Sequence, residues 1–192
     1  HRSAVAAAGG DPLLTGPGAG AVLVTPRLVM EPLRRDHLPD LLALYADPGV
    51  GEFLAPLDEA GHLQRIDEAQ HMWQARGHGR VAVIDRASGR FLGRSGLQFW
   101  ADRDEVEVTW ALRREAWGQG LATEAGGAWL RWGLEHLDVP YITAFIAPEN
   151  HASRAVAERL GMAVLRTDVQ HGRDVLAYAA GRPDAALTNA TG

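Results

Sequence analysis

The chain has 192 residues, of which 46% are hydrophobic and 22% charged, and these values are typical of one globular domain with a substantial core. Cysteine is absent, which excludes disulfides, thiolate metal sites and a cysteine nucleophile. The net charge is -5 and lysine is absent, a balance that argues against a nucleic-acid partner and weakly favours a cationic substrate such as an amine.

The two ends of the chain carry no periodic pattern of apolar residues. Residues 1–20 are rich in alanine, glycine and proline and are predicted to be a flexible leader or a remnant of cloning. Residues 181–192 are predicted to be a flexible tail, which leaves a single folded domain at 21–180. No apolar run approaches the roughly 20 residues that span a bilayer. We therefore expect a cytoplasmic protein without membrane contact, as a monomer or a homodimer.

The first half of the domain is predicted to contain one strand and two helices. The strand covers residues 29–33, and Pro32 ends it or places it at a sheet edge. Asp36 is expected to cap the first helix, which Pro48 ends. The second helix covers residues 58–76, where apolar residues recur at helical spacing.

The second half is predicted to contain three meandering strands, of which the third begins a strand–helix–strand unit. The predicted strands cover 80–85, 90–100, 105–112, 141–147, 162–168 and 173–180, and the predicted helices cover 120–137 and 150–161. The connection between the strands at 105–112 and 141–147 is long enough for a parallel crossover. These elements predict a mixed α+β fold.

Alternation divides the strand at 105–112 into two faces. Glu105, Glu107 and Thr109 share one face, and apolar residues occupy the other. We expect the face with two carboxylates to line a wet cleft or the protein surface, and the apolar face to lie in the core.

Gly118 and Gly120 lie at the predicted turn from strand to helix. Such a turn leaves the first N–H groups of the helix unpaired beside the positive end of the helix dipole, which is a site for an anion such as phosphate. The dinucleotide fingerprint requires glycine or alanine where this chain has Thr123, and a Walker loop requires a lysine. The residues alone therefore predict a phosphate site of another class, with an ordinary tight turn as the alternative.

Four motifs in the chain add a resemblance. They are TPRL at 25–28, EVTW at 107–110, WGQGLATEA at 117–125, and N-x-x-S-x-x-V-x-E-x-L-G-M at 150–162. In this order they resemble the GNAT superfamily of acetyl-CoA-dependent N-acetyltransferases, closest to the RimJ/RimL-like branch that acetylates ribosomal-protein N-termini. The similarity covers nearly the whole folded part. One departure is Glu115, where the superfamily pattern has glutamine or arginine.

The resemblance implies a central, mostly antiparallel twisted sheet of about six to seven strands, with flanking helices and one parallel strand pair splayed at the cofactor site. The backbone of the turn would hold the CoA pyrophosphate, and the end of the preceding strand would pair with the pantetheine arm as with an added strand. Arg113, Arg114 or Arg154 would add charge near the phosphates or would be solvated. The implied CoA-binding residues are Trp110, Ala111, Leu112, Ala116, Trp117, Gly118, Gln119, Gly120, Leu121, Ala122, Thr123, Asn150 and Ser153.

Acetyl transfer requires a base for the amine proton, an oxyanion donor and a proton for the departing sulfur. Glu107 is the predicted base, and its alternative is a surface or structural carboxylate. The resemblance implies that Ser153 donates to the thiolate. Asn150 and Ser153 also suit the start of a helix, where capping is the simpler explanation for Asn150.

No metal site is predicted, because His62 and His71 lack the spacing of the HExxH motif. Trp73 and Trp100 are predicted either to pack in the core or to line the acceptor pocket. We expect that pocket near residues 53–57 and 98–100.

The predicted function is N-acetylation of a primary amine, with acetyl-CoA as co-substrate and no covalent enzyme intermediate. The acceptor is either a protein N-terminus, such as that of a ribosomal protein, or a small amine. The alternative is a non-catalytic acyl-CoA-binding or regulatory module on the same fold, because a fold does not guarantee an activity.

Overall fold

The computed structural model describes residues 22–182, in which eight strands form one sheet. The strands are β1 (Leu23–Val24), β2 (Leu28–Pro32), β3 (Arg80–Asp85), β4 (Phe91–Trp100), β5 (Glu105–Leu112), β6 (Tyr141–Ile146), β7 (Ala163–Gln170) and β8 (Arg173–Gly181). The helices are α1 (Leu38–Ala46), α2 (Pro48–Gly51), α3 (Glu59–Arg76), α4 (Leu121–His136) and α5 (His151–Arg159). None of these helices has the length and apolar character needed to cross a membrane.

The sheet order is β1-β2-β3-β4-β5-β6-β8-β7, and every neighbouring pair is antiparallel except β5 and β6. This confirms the mixed fold and the parallel crossover through α4. The sheet has one strand more than predicted, because β1 is only two residues long and carries no readable alternation. The predicted leader lies outside the described residues. The predicted tail began too early, since β8 includes Gly181 and the Arg182 amide donates to the Pro140 carbonyl.

Local side-chain chemistry sets the ends of the first helices. The Asp58 carboxylate caps α3 by accepting from the Gly61 amide at 2.8 Å, and Gly77 ends it with a left-handed φ of 72°. The segment at Pro48 was predicted only to end a helix. It also begins the short α2, because the Asp47 carboxylate accepts from the Gly49 amide at 2.9 Å and caps this turn.

Different helices cover the two faces of the sheet. The apolar face of β5 packs against α4, where Trp129 is fully buried. The opposite face of β3 packs under α1 and α3 through Ala82, Leu44 and Ile66. The face of β5 that carries Glu107 therefore lies on the same side of the sheet as α1 and α3.

The parallel strands β5 and β6 separate after a single registered pair, Glu107 with Thr143. Beyond this pair β5 stays with β4 as far as Leu112, whereas β6 stays with β8 as far as Ile146. A V-shaped gap opens between the two strands, and its apex lies at Glu107. The gap leaves one edge of β5 without a strand partner.

Candidate active site

A cavity of about 1060 Å³ extends from the gap between β5 and β6. This volume is at the upper end of the range for ligand sites, and it suits a large ligand together with a second substrate. All but one of the sequence-predicted site residues line it; Gln119 is the exception. The structure thus brings together residues that the sequence spreads over Glu107, the turn and the start of α5.

The turn before α4 presents a row of free backbone amides to the cavity. Gly118 and Gly120 have φ values of 72° and 74°, a left-handed conformation that glycine adopts without strain. Within residues 22–182, the amides from Gly118 to Thr123 make no hydrogen bond to a backbone carbonyl in the turn. The amides in the first turn of α4 also have no acceptor within the helix, because no preceding turn is present. The amides of Ala116 and Trp117 instead donate to Arg113 and Arg114 carbonyls. The row of free amides therefore begins at Gly118, and not at Ala116 as the resemblance implies.

A clamp from the start of the domain holds this turn. Glu124, in the first turn of α4, accepts from the Thr25 hydroxyl at 2.6 Å and from the Arg27 Nε at 2.6 Å. Arg27 Nη1 also donates to the Gln119 carbonyl at 2.7 Å. In a trans peptide the carbonyl and the next N–H point in opposite directions. Fixing the Gln119 carbonyl toward Arg27 therefore turns the Gly120 N–H away from Arg27.

Ser153 lies at the start of α5 with its hydroxyl oriented by a neighbour. Its amide donates to the Asn150 carboxamide oxygen at 3.2 Å, so Asn150 caps the helix. Its Oγ accepts from the Trp110 Nε1 at 3.2 Å. Because an indole can only donate, this bond occupies an oxygen lone pair and leaves the Ser153 hydrogen for another acceptor.

Glu107 is buried at the apex of the gap. Its Oε2 accepts from the Trp100 Nε1 at 2.7 Å, and its Oε1 lies 3.4 Å from the Phe145 amide nitrogen. Burial raises the pKa of Glu107, and the Trp100 hydrogen bond and the Arg80 charge only partly oppose this. A carboxylate with a raised pKa is a stronger base than an ordinary surface carboxylate.

Glu105 and Glu107 are only 8% and 7% exposed. The expectation that their face lines a wet cleft or the surface is wrong for Glu105, which other side chains cover. The strand β7 supplies the cover at Glu105: both nitrogens Nη1 and Nη2 of Arg166 lie 2.9 Å from its carboxylate. The Tyr141 hydroxyl also donates to it at 2.9 Å. Glu105 is thus a structural carboxylate, whereas Glu107 lines the cavity.

The three arginines suggested for the phosphates already have protein partners. Arg113 pairs with Asp40 at 2.7 Å, and Arg114 pairs with Asp47 at 2.6 Å. Arg154 donates to the Tyr178 hydroxyl at 3.1 Å. These contacts tie the turn and α5 to the rest of the domain.

Several residues that line the cavity on the Glu107 side were not predicted from the sequence. They are Tyr45, Arg65, Arg80, Arg94 and His171. His171 and Gly172 form the two-residue turn between β7 and β8, with φ values of 50° and 73°, and the His171 ring packs edge-on against Trp100. Of the two tryptophans that were predicted to pack in the core or line the acceptor pocket, Trp100 lines the cavity and Trp73 packs in the core. No local sequence pattern identifies these residues, because they come from segments that are distant in the chain and meet only in the fold.

No group of three or more histidines or carboxylates suited to a metal ion occurs in the part of the chain that the structure describes. Some of the residues at 53–57 and 98–100, where the acceptor pocket is expected, lie in the wall of the cavity. Phe53, Leu54 and Ala55 line the cavity together with Trp100.

Comparison with known proteins identifies one domain family whose model matches the part of the chain that carries the site. Residues 27–163 match the model of the acetyltransferase (GNAT) domain. The chain is 28% identical to the uncharacterized protein YkkB of Bacillus subtilis (strain 168) over 160 residues. This alignment covers 81% of this chain and 93% of that protein. The crystal structure of an acetyltransferase from Agrobacterium tumefaciens str. C58 is similar with a TM-score of 0.74 and 27% identity, over 83% of this chain and 94% of that one.

A ribosomal-protein-S5-alanine acetyltransferase from Vibrio fischeri has the same fold, with a TM-score of 0.69 at 13% identity over 85% of this chain and 97% of that one. The range matched by the domain model contains the Arg27 and Glu124 part of the clamp, the amide row, the gap and both catalytic candidates.

Proposed function

Because the chain belongs to the GNAT family of acetyltransferase domains, we propose that this acyltransferase moves the acetyl group of acetyl-CoA directly onto a primary amine. The observation that carries the proposal is the position of Glu107. It lies buried at the apex of the only parallel strand pair among the described residues, at the wall of a cavity that also contains the amide row.

The amide row from Gly118 to Thr123 fits the pyrophosphate of CoA. Unpaired amides at a helix N-terminus can bind an anion, and the helix dipole favours one there. The open edge of β5 at Trp110–Leu112 offers hydrogen-bonding groups to the amides of the pantetheine arm. The cavity is large enough to hold such an extended ligand beside an acceptor.

Glu107 and Ser153 supply the proton chemistry in this proposal. Acetyl-CoA provides the thioester, whose carbon–sulfur bond breaks as a carbon–nitrogen bond forms. Glu107 takes the proton that the attacking nitrogen loses, and its raised pKa suits it to that task. Ser153 directs its free hydroxyl hydrogen to the departing sulfur, since Trp110 already occupies an oxygen lone pair.

The test is an assay of acetyl transfer with the whole chain. Acetyl-CoA is incubated with a panel of small amines and N-terminal peptides, while thiol release and the mass of the acceptor are followed together. We expect one acetylated amine for each thiol released. Tight binding of CoA, with no acceptor raising thiol release above the rate of hydrolysis, would contradict the proposal.

A further inference from the structure

Two arginines are buried within residues 22–182, and neither has a carboxylate partner. Arg80 and Arg94 are 7% and 8% exposed. No acidic side chain lies within ion-pair distance of either one in the described part of the chain, although both line the cavity. A buried charge is costly unless it is paired. Arg166, on β7, does have carboxylate partners in Glu105 and Asp168.

The two arginines lie on the sheet face that carries Glu107. In the register of the sheet, Arg80 is opposite Gly96, and Gly96 is opposite Thr109. Arg94 occupies the adjoining row, diagonal to Arg80, so that their side chains are neighbours. Burial and the Arg94 charge lower the pKa of Arg80 to about 10, although Tyr45 and Glu107 partly oppose this.

Two polar atoms in this row have no partner. Arg80 Nε and Thr109 Oγ1 are buried without a hydrogen bond, and Gly96 places no side chain between them. Arg94 uses only its Nε, which donates to the Tyr45 hydroxyl at 2.9 Å. The guanidinium ends of Arg80 and Arg94 make no hydrogen bond to any described residue. The terminal nitrogens of Arg80 and Arg94, beside the Thr109 side chain in the same cavity, can donate to one anion.

The location separates this cluster from the amide row. The row begins α4, which packs against the opposite face of the sheet. Arg80 and Arg94 lie beneath α1 and α3, near the Tyr45 side of the cavity. An anion bound there would therefore belong to the second substrate and not to the phosphates of CoA.

We propose that Arg80 and Arg94, with Thr109, form a subsite for an anionic group on the acceptor, so that the acetylated amine also carries a carboxylate or a phosphate. The inference rests on the proposed acetyl transfer and narrows its acceptor class. Binding the anion would place the amine of the same molecule toward Glu107, one row along the sheet from Thr109.

Matched acceptor pairs test the subsite and separate the two possible anions. Glycine is compared with glycinamide for the carboxylate, and phosphoethanolamine with ethanolamine for the phosphate. We expect kcat/KM to be about tenfold higher, or more, for at least one anionic member, which is the size expected for one charge-assisted hydrogen bond. Arg94→Gln should remove most of this ratio, and Arg94→Lys should retain part of it because the charge remains. Arg131→Gln, at an exposed position of α4, is the control and should keep the ratio.

A second measurement does not depend on turnover. Inorganic phosphate and acetate are titrated into CoA-saturated protein, and the thermal unfolding midpoint is followed. We expect at least one of them to raise the midpoint of the wild type and of Arg131→Gln, but not of Arg94→Gln or Arg80→Gln. Saturating CoA occupies the amide row, so that the shift reports on the arginines.

The outcomes separate the two proposals. Equal rates for the anionic and neutral members of both pairs would overturn the subsite and leave acetyl transfer standing. If no amine is acetylated, the proposed function fails, and the midpoint shift alone decides the subsite. A shift that survives Arg94→Gln and Arg80→Gln, or no shift with either anion, would also overturn it.

Discussion

Arg27 and Glu124 are 97 positions apart, and the Arg27 Nε lies 2.6 Å from the Glu124 Oε2. This contact fastens the start of the domain to the first turn of α4. Arg27 also holds the Gln119 carbonyl, so that one side chain controls the conformation of the amide row. In the proposed CoA complex, Arg27 would act on the ligand through the backbone and not by touching it.

Replacing Arg27 should weaken the binding of CoA more than it weakens the fold. We expect Arg27→Gln to raise the Kd for CoA about tenfold, since the peptide between Gln119 and Gly120 loses the partner that orients it. Isothermal titration calorimetry measures this, and the thermal midpoint checks the fold. Arg131→Gln serves as the control. An unchanged Kd for Arg27→Gln would show that the amide row is rigid without the clamp.

Replacing Glu107 should remove the base and its signature in the pH profile. We expect Glu107→Gln to lower kcat about 10²- to 10⁴-fold with little change in the Kd for CoA. Because burial raises the Glu107 pKa, wild-type kcat/KM should fall on the acidic side at a pH above the ordinary glutamate value of 4.5. This acidic fall in kcat/KM should be absent in Glu107→Gln. Glu135→Gln, on the exposed side of α4, should behave as wild type.

Glu105 and Glu107 should affect stability in opposite directions. Glu107 has a raised folded pKa, so its contribution is favourable below about pH 4.5 and is lost as the pH rises through the folded value. Glu107→Gln should therefore raise the free energy of unfolding at pH 7 by about 1 kcal/mol and by less in acid. Glu105→Gln should lower it by about 2 kcal/mol, because one charge-assisted hydrogen bond to Arg166 is lost while Asp168 still pairs with Arg166.

Urea unfolding at pH 7 and at pH 4 measures both effects. The same direction of change for the two variants at pH 7 would mean that the hydrogen bonds from Trp100 and Phe145 outweigh the cost of burying the Glu107 charge, and the raised pKa of Glu107 would then be wrong.

Replacing Ser153 should slow the departure of the thiol. We expect Ser153→Ala to lower kcat about 10- to 100-fold with acetyl-CoA, and less with an acetyl thioester of a more acidic thiol, which leaves with less help. Trp110→Phe should show a smaller loss, since only the orientation of the hydroxyl is removed. Rates that are unchanged with both donors would restrict Ser153 to the start of α5.

Local patterns predicted the elements closest to the site. β3 and β5 have the bounds predicted from an apolar, β-branched run and from alternation, because both patterns are formed by adjacent residues. The turn at Gly118 was also predicted, since its glycines and the following helix are contiguous. The burial of Glu105 was not predicted, because Arg166 comes from a strand that the sequence alone could not place beside it.

Residues adjacent in the chain are enough to predict the strand, turn and helix at residues 105–136, the glycines that leave amides free, and the motif order of a GNAT domain. The pairing of the charges is visible only in the folded chain. There Arg27 meets Glu124, Arg166 meets Glu105, and Arg80 and Arg94 are buried without a carboxylate in ion-pair contact. Hydrogen-bond geometry in turns and strands depends on neighbours in sequence, whereas the neutralisation of a charge depends on neighbours in space.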